Sequence, residues 1–216
     1  DGIRQTEQYI ATSFAPDEGT SGGAGRDYYD PAIFASTEIL KGSASSLYGS
    51  DAMAGVVSFR TPVAEDFLDD QDDNFGGLFR TQQFTQNSSV ATQGFLAFRK
   101  DQFSVMLGLA YRDGNESENN GDVPPNPLEF DSLNLLSKFQ WKIDDDNKLE
   151  LTLEHFNRDR FVNALSANQF TNIFDKSILN WENQTRSRYS LSWDHQPVEY
   201  TSPLFDSLKS NLYYQA

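Results

Sequence analysis

Cysteine is absent from the 216 residues, which removes disulfides, thiol catalysis and cysteine-ligated metals. Long apolar runs are absent as well. No stretch approaches the roughly 18 uninterrupted apolar residues of a transmembrane helix, and the mean hydropathy is −0.59. A bundle of membrane helices is thereby excluded. A membrane barrel is not, because a barrel strand alternates apolar and polar residues and averages out like a soluble protein. Basic residues are few, 17 against 32 acidic ones, for a net charge of −15, so nucleic acid is not an expected partner. Histidine occurs twice, at His155 and His195, and no Ser-His-Asp or paired-carboxylate constellation stands out, so no catalytic site is expected. The acidic run Asp69-Asp70-Gln71-Asp72-Asp73 lacks the glycine and glutamate spacing of a calcium loop. The glycine-rich Gly19 to Gly25 lacks the Gly-Lys-Ser/Thr of a phosphate loop. No metal site is expected.

What the chain does have is aromatic residues, 13% of the total with 17 Phe and 9 Tyr, and a clear division into three zones. Residues 1–62 are rich in Gly and Ser with short apolar clusters. Residues 63–74 carry Glu65, Asp66, Asp69, Asp70, Asp72 and Asp73 without a basic residue, the character of a solvated linker. Residues 75–216 read as six or seven alternating segments. In Gln102 to Tyr111, Phe103, Val105, Leu107, Leu109 and Tyr111 share one face, with Ser104, Met106, Gly108 and Ala110 on the other. Ser132 to Ile143 and Lys148 to Phe156 repeat the period of two, with a local break at Leu136-Ser137, and Tyr189, Leu191 and Trp193 repeat it again. Phe75 to Gln86, Thr92 to Arg99 and Ser207 to Tyr214 are weaker strands. Connections at Lys100-Asp101 and Asp144 to Asn147 are short, whereas Asp113 to Phe130 and Asp159 to Gln184 are long. Alternation of short and long connections is the habit of outer-membrane barrels; Gln196 to Asp206 is the exception, longer than a tight turn. The strand pattern alone leaves two folds open, a soluble β-sandwich binding module and a membrane barrel, with a barrel enzyme as a third reading.

The stretch Ser36-Thr37-Glu38-Ile39-Leu40-Lys41-Gly42-Ser43-Ala44-Ser45-Ser46-Leu47-Tyr48-Gly49-Ser50, continuing to Phe59, resembles the closing motif of the plug domain of TonB-dependent outer-membrane receptors. The pattern is physically coherent. Glu38 to Leu40 is a short strand stopped by Gly42, Ser43 to Tyr48 suits a helical turn capped by a serine, Gly49 allows reversal at positive φ, and Val56 to Phe59 returns. Asp1-Gly2-Ile3-Arg4-Gln5 resembles an upstream plug strand. Tyr29-Asp30-Pro31 and the run Val57-Ser58-Phe59-Arg60-Thr61 resemble the haem/haemoglobin receptor branch.

The resemblance implies a mainly β chain: a small mixed α/β plug fragment over 1–62, an acidic linker over 63–74, and the first six or seven antiparallel strands of a transmembrane barrel over 75–216. It implies the plug motif residues Glu38, Leu40, Lys41, Gly42, Leu47, Tyr48, Gly49, Gly55, Val56 and Val57, plug-to-barrel contacts through Lys41 and Arg60, and a ligand-facing loop at Gly22, Gly23, Gly25 and Arg26. Lys41 stands where the family has an arginine able to fork onto two carboxylates, and a lysine offers only a point charge. The implied activity is import of haem, a ferric siderophore or another scarce complex such as cobalamin or a glycan. The implied location is the outer membrane of a Gram-negative bacterium, and the implied partners are the TonB-ExbB-ExbD complex, membrane lipid and the iron complex or haem protein. No covalently held cofactor is expected. A chain opening inside such a motif is expected to be a stretch of a longer protein, its export signal upstream. Seven strands alone are expected to form an open sheet with unpaired edges.

Overall fold

Residues 3, 9–12, 20–23, 29–43, 52, 54–68, 74–118, 121, 125–163, 179–197 and 206–216 are described by the structure, a computed structural model. Three sheets are present among them. β1 (Tyr9–Thr12) pairs with β2 (Thr20–Gly23), and β3 (Ser36–Lys41) pairs with β4 (Gly55–Arg60), both antiparallel. The third sheet is a seven-stranded meander of β5 (Phe75–Phe84), β6 (Ser89–Lys100), β7 (Phe103–Asn115), β8 (Leu128–Lys142), β9 (Asn147–Asn163), β10 (Leu179–His195) and β11 (Leu208–Gln215). Each strand bonds to its sequence neighbours, and β5 and β11 are free edges, so the sheet is open. The expected β3–β4 pair is present, with Gly42 at φ +105° ending β3. Leu47, Tyr48 and Gly49, and with them the expected helical turn, lie outside the described residues.

The large sheet is inside out relative to a soluble protein. Its polar side chains are buried, Asn134 at 0%, Arg186 at 2% and Glu154 at 4% exposure, while Leu107 at 40% and Trp141 at 41% lie open. A soluble sandwich would cover those leucines with a second sheet; here they form a continuous outward belt. Phe103, Trp141, Leu149 and Trp193 occupy one cross-strand row at the short-turn end. Phe103 stacks on Trp141 at 5.7 Å, and the Trp193 indole N–H donates to Asn147 Oδ1 at 3.1 Å. A ring with an apolar body and a wet tip suits a membrane boundary. On β7 the belt runs from Phe103 to Tyr111, roughly 27 Å of strand at about 3.4 Å per residue, or roughly 20 Å of height at the tilt usual in membrane barrels.

Above the belt the outward side chains turn polar, at Asp113, Asp131, Asp159, Asn157 and Asn183. This explains why the strands outrun their expected boundaries. β7, β8, β9 and β10 continue to Asn115, from Leu128, to Asn163 and from Leu179, so the two long connections shrink to 116–127 and 164–178. Polar residues on both faces hide a strand from hydropathy while the hydrogen-bond ladder carries on. The expected break at Leu136-Ser137 is absent too: Leu136 points inward into an apolar cluster and Ser137 outward, in unbroken register. The β5–β6 connection, on the long-loop side, is a four-residue turn at 85–88, and β10–β11 is the long exception at 196–207.

Two short 3-10 helices bring the N-terminal segment onto the inner face. The first, Pro31–Ile33, starts from Asp30, whose Oδ1 accepts from the Ala32 N–H at 2.8 Å, with Pro31 supplying the preset φ. The second, Ala64–Phe67, opens the acidic stretch as a packed turn rather than an open tether: Ala64 and Leu68 are buried, while Asp69 to Asp73 lie outside the described residues. Ile33, Ala64 and Leu68 join Phe95, Ala97, Met106, Ala110 and Leu136 in one core, and Phe67 stacks on Phe95 at 5.0 Å. Gly76 of β5 makes room for this turn, since a Cβ there would meet the Phe67 carbonyl oxygen at 2.0 Å. Gly76→Ala is therefore expected to cost roughly 1–3 kcal/mol by overpacking, read as a lower urea midpoint; an unchanged midpoint would show that the turn can lift away freely.

Candidate functional site

The site assembled by these elements is the inner face of the sheet where residues 29–33 and 61–68 lie on it. Asp30 is its hub. The Arg112 guanidinium of β7 forks onto it, Nε to Oδ2 at 2.7 Å and Nη2 to Oδ1 at 3.2 Å, and Ser132 Oγ of β8 donates at 3.5 Å. Such a bidentate, charge-assisted pair fixes geometry as well as charge. Arg158 of β9 donates to the Tyr29 carbonyl at 3.2 Å, and Lys138 of β8 to the Thr61 carbonyl at 3.5 Å. Gln93 of β6, its amide turned to satisfy both neighbours, donates to the Ala32 carbonyl and accepts from Arg80. Four neighbouring strands thus grip one five-residue segment. Beside it Tyr29, Phe34 and Phe59 form a ring cluster with centroids 4.5 to 5.2 Å apart.

The rest of the inner face is a polar network within the wall. Glu154 takes Arg186 on one oxygen and lies 2.9 Å from Arg188 Nε on the other, with Asn134 donating at 3.5 Å. Lys138 pairs with Glu150 at 3.3 Å, and Glu150 also accepts from Gln140 at 2.7 Å, which accepts in turn from Ser104 at 2.9 Å. Higher up, Arg160 meets Glu182 at 2.6 Å. Buried charges persist only when paired in this way.

The residues expected from sequence are distributed differently. Glu38, Leu40 and Lys41 lie exposed on β3, and Gly55, Val56 and Val57 begin β4 opposite them. Gly22 and Gly23 lie in β2, while Gly25 and Arg26 are outside the described residues. Arg60 turns to Asp66 of its own segment, at 2.8 and 3.0 Å, rather than to a barrel strand. The described polar contacts with the wall run instead through Tyr29, Asp30, Ala32 and Thr61, which sequence reasoning did not single out as a site. The available signal was Asp30-Pro31, a helix cap followed by its favoured first residue, facing an arginine one step beyond the last visible aromatic of β7. His155 points outward, bonded to Ser187 at 3.0 Å, away from this face.

The Asp66 hydrogen bonds with Arg60 push the guanidinium pKa up. Burial pushes Asp66 up, but the Arg60 and Val63 hydrogen bonds and the Arg60 and Lys138 charges outweigh it, leaving its carboxyl below the usual range. A lowered folded pKa means the contribution is complete above the unfolded value near 4 and is lost as pH falls through the folded one. Acid is therefore expected to loosen the turn at 63–68 only below about pH 4, and Asp66→Asn to loosen it at all pH. Amide exchange of Ala64–Phe67 measures both; an acid profile unchanged by the substitution would contradict the assignment.

Comparison with known proteins places these features. Residues 1–56 match the family model described as TonB-dependent Receptor Plug Domain. The chain is similar to a hemin receptor of Yersinia pestis, 32% identical over 131 residues, covering 60% of this chain and 19% of that protein. It is similar to a heme/hemopexin utilization protein C of Haemophilus influenzae, 30% identical over 149 residues, covering 67% and 21%. A lactoferrin-binding protein A of Neisseria meningitidis is 29% identical over 124 residues, covering 57% and 13%. In fold the chain is similar to the FrpB iron transporter of Neisseria meningitidis, with a TM-score of 0.69 at 18% identity, covering 86% of this chain and 29% of that one. The chain spans about a fifth of the length of the first of these relatives.

Proposed function

Since the chain belongs to the TonB-dependent receptors, we propose that it is the end of a plug and the first seven wall strands of an outer-membrane importer. The observation that carries this is the seating of residues 29–33 and 61–68 on the polar, buried face of a sheet whose other face is an exposed apolar belt. A closed barrel leaves no strand edge unbonded in lipid, and a wide lumen needs a stopper. The plug runs through residue 62, and residues 63–74 join it to the wall, beginning with the packed turn Ala64–Phe67. Lys41, exposed on β3, is the plug's contact with a wall strand outside these seven. In this reading Gly22 and Gly23 of β2 belong to the ligand-facing loop. The TonB-ExbB-ExbD complex supplies the energy, and the protein sits in the outer membrane of a Gram-negative cell.

The cargo is haem or another iron complex. The hemin and heme/hemopexin names among the relatives favour haem, and a ferric siderophore is the second reading, favoured by the iron-transporter fold. Titration of the full-length receptor with hemin decides between them. A saturable Soret shift is expected for haem, and a flat spectrum excludes it. Hemin-supported growth lost on collapse of the proton gradient is the expected sign of TonB coupling, and growth that survives the collapse excludes it.

A further inference from the structure

Charge is sharply segregated in this chain. Strands β5 to β11 carry twelve Lys and Arg residues, and strand register turns every one inward except Lys100. Their eight carboxylates divide equally, with Glu150, Glu154, Glu182 and Asp194 inward and Asp113, Glu129, Asp131 and Asp159 outward. The inner face is therefore strongly cationic in a protein of net charge −15. Residues 1–74 have the opposite bias, fourteen acidic against four basic. The described polar contacts between the two named above follow the same polarity: the wall donates through Gln93, Arg112, Ser132, Lys138 and Arg158, and the segment accepts through carboxylate or carbonyl oxygens.

We propose that the inner wall is a charge-matched seat for the acidic N-terminal segment, with Asp30 in the Arg112 fork as the point that holds the segment down. The proposal rests on the division into plug and wall given above. A cationic surface needs an anionic occupant, and the one lying on it brings a carboxylate that is 4% exposed and held by β7 and β8 together. Apolar contact at Ile33 gives the segment adhesion, but only the carboxylate gives it polarity and register. Long-range attraction between the two biased surfaces is screened by salt, whereas the buried fork is screened far less. Seat and fork are therefore separable by experiment.

The test uses the full-length receptor in lipid vesicles. The present stretch has no cysteine; with every cysteine elsewhere in the receptor replaced by serine, Ala32→Cys, beside the hub, reports seating through its rate of maleimide labelling. Asp30→Asn keeps the helix cap, since asparagine caps as well as aspartate, and removes only the charge. Labelling is expected to rise at least about tenfold in Asp30→Asn and in Arg112→Gln, the double variant being no faster than either, because breaking one side of a buried pair forfeits the whole of it. It is also expected to rise in the unsubstituted hub between ~0.05 and ~1 M salt, and to stay unchanged in the outward-facing Lys100→Gln. Heat-modified electrophoretic mobility confirms that each barrel has folded. Unchanged labelling in both hub variants overturns the proposal, and so does a response to Asp30→Asn without one to Arg112→Gln, which would mean that the Asp30 charge is not held by the Arg112 fork. Labelling needs neither cargo nor TonB, so its failure leaves the transport reading intact, and loss of uptake with normal labelling strikes only the latter.

Discussion

Arginine in place of Leu107 is expected to remove roughly 2–4 kcal/mol of folding stability in a bilayer, the cost of a cation on the lipid face near mid-depth. Leu107 lies midway along the outward row of β7 between Phe103 and Tyr111, opposite Leu96 on β6 and Ser137 on β8. It is 40% exposed, so the substitution creates no cavity and breaks no hydrogen bond. The whole penalty comes from the medium that this face meets. In water the same change is close to neutral, as at most exposed positions. Urea titration of the full-length protein refolded into phospholipid vesicles measures the cost, with Leu107→Phe as the apolar control. Equal stability of the arginine and phenylalanine variants would show that this face does not touch hydrocarbon, and the membrane assignment of the sheet would fall with it.

That prediction was accessible from sequence because the alternation of Phe103 to Tyr111 is strong on both faces, and all seven strands of the large sheet are anticipated in order. The legible parts are those where the medium forces a contrast: greasy outside, polar inside. The upper parts of β8, β9 and β10 give no such contrast, since outward Asp131, Asp159 and Asn183 are as polar as inward Arg158 and Arg160, so those strands read as loop. The seat was hidden for a different reason. Asp30 and Arg112 are 82 residues apart, and only the fold brings them together. The plug motif at Glu38 to Gly42 identified the family, but conspicuous residues need not be the ones that touch this portion of the wall. Arg60 pairs with a carboxylate six residues away in its own segment, although the family resemblance implied a partner on the barrel. A sequence shows which residues are able to form ion pairs, and chain topology chooses among them.

Glu154→Gln is the second large effect, an expected loss of roughly 3–5 kcal/mol, the usual consequence of stripping one partner from a buried pair. The substitution keeps volume and shape, so charge alone changes. Arg186 and Arg188 sit two residues apart on the same face of β10, both almost fully buried, and Glu154 is the carboxylate between them. Without it two guanidinium groups share a dry wall with Lys138 nearby, and each must recover hydration by moving toward the lumen. Arg186→Gln placed in the Glu154→Gln background is expected to return about half of the loss, because one remaining cation no longer faces a like charge. The exposed pair Lys142–Asp145, at the turn, provides the contrast: Lys142→Gln should cost less than about 1 kcal/mol. Chemical unfolding of the three variants in vesicles gives the values, and a loss for Glu154→Gln no larger than that for Lys142→Gln would mean that water already reaches the cluster. The wall neutralises Arg186 and Arg188 from within, whereas Arg112 is neutralised by a residue of the plug segment. Glu154→Gln should therefore weaken the wall while leaving the Ala32→Cys labelling rate as it was, and this separates the charges that build the barrel from the charge that holds what fills it.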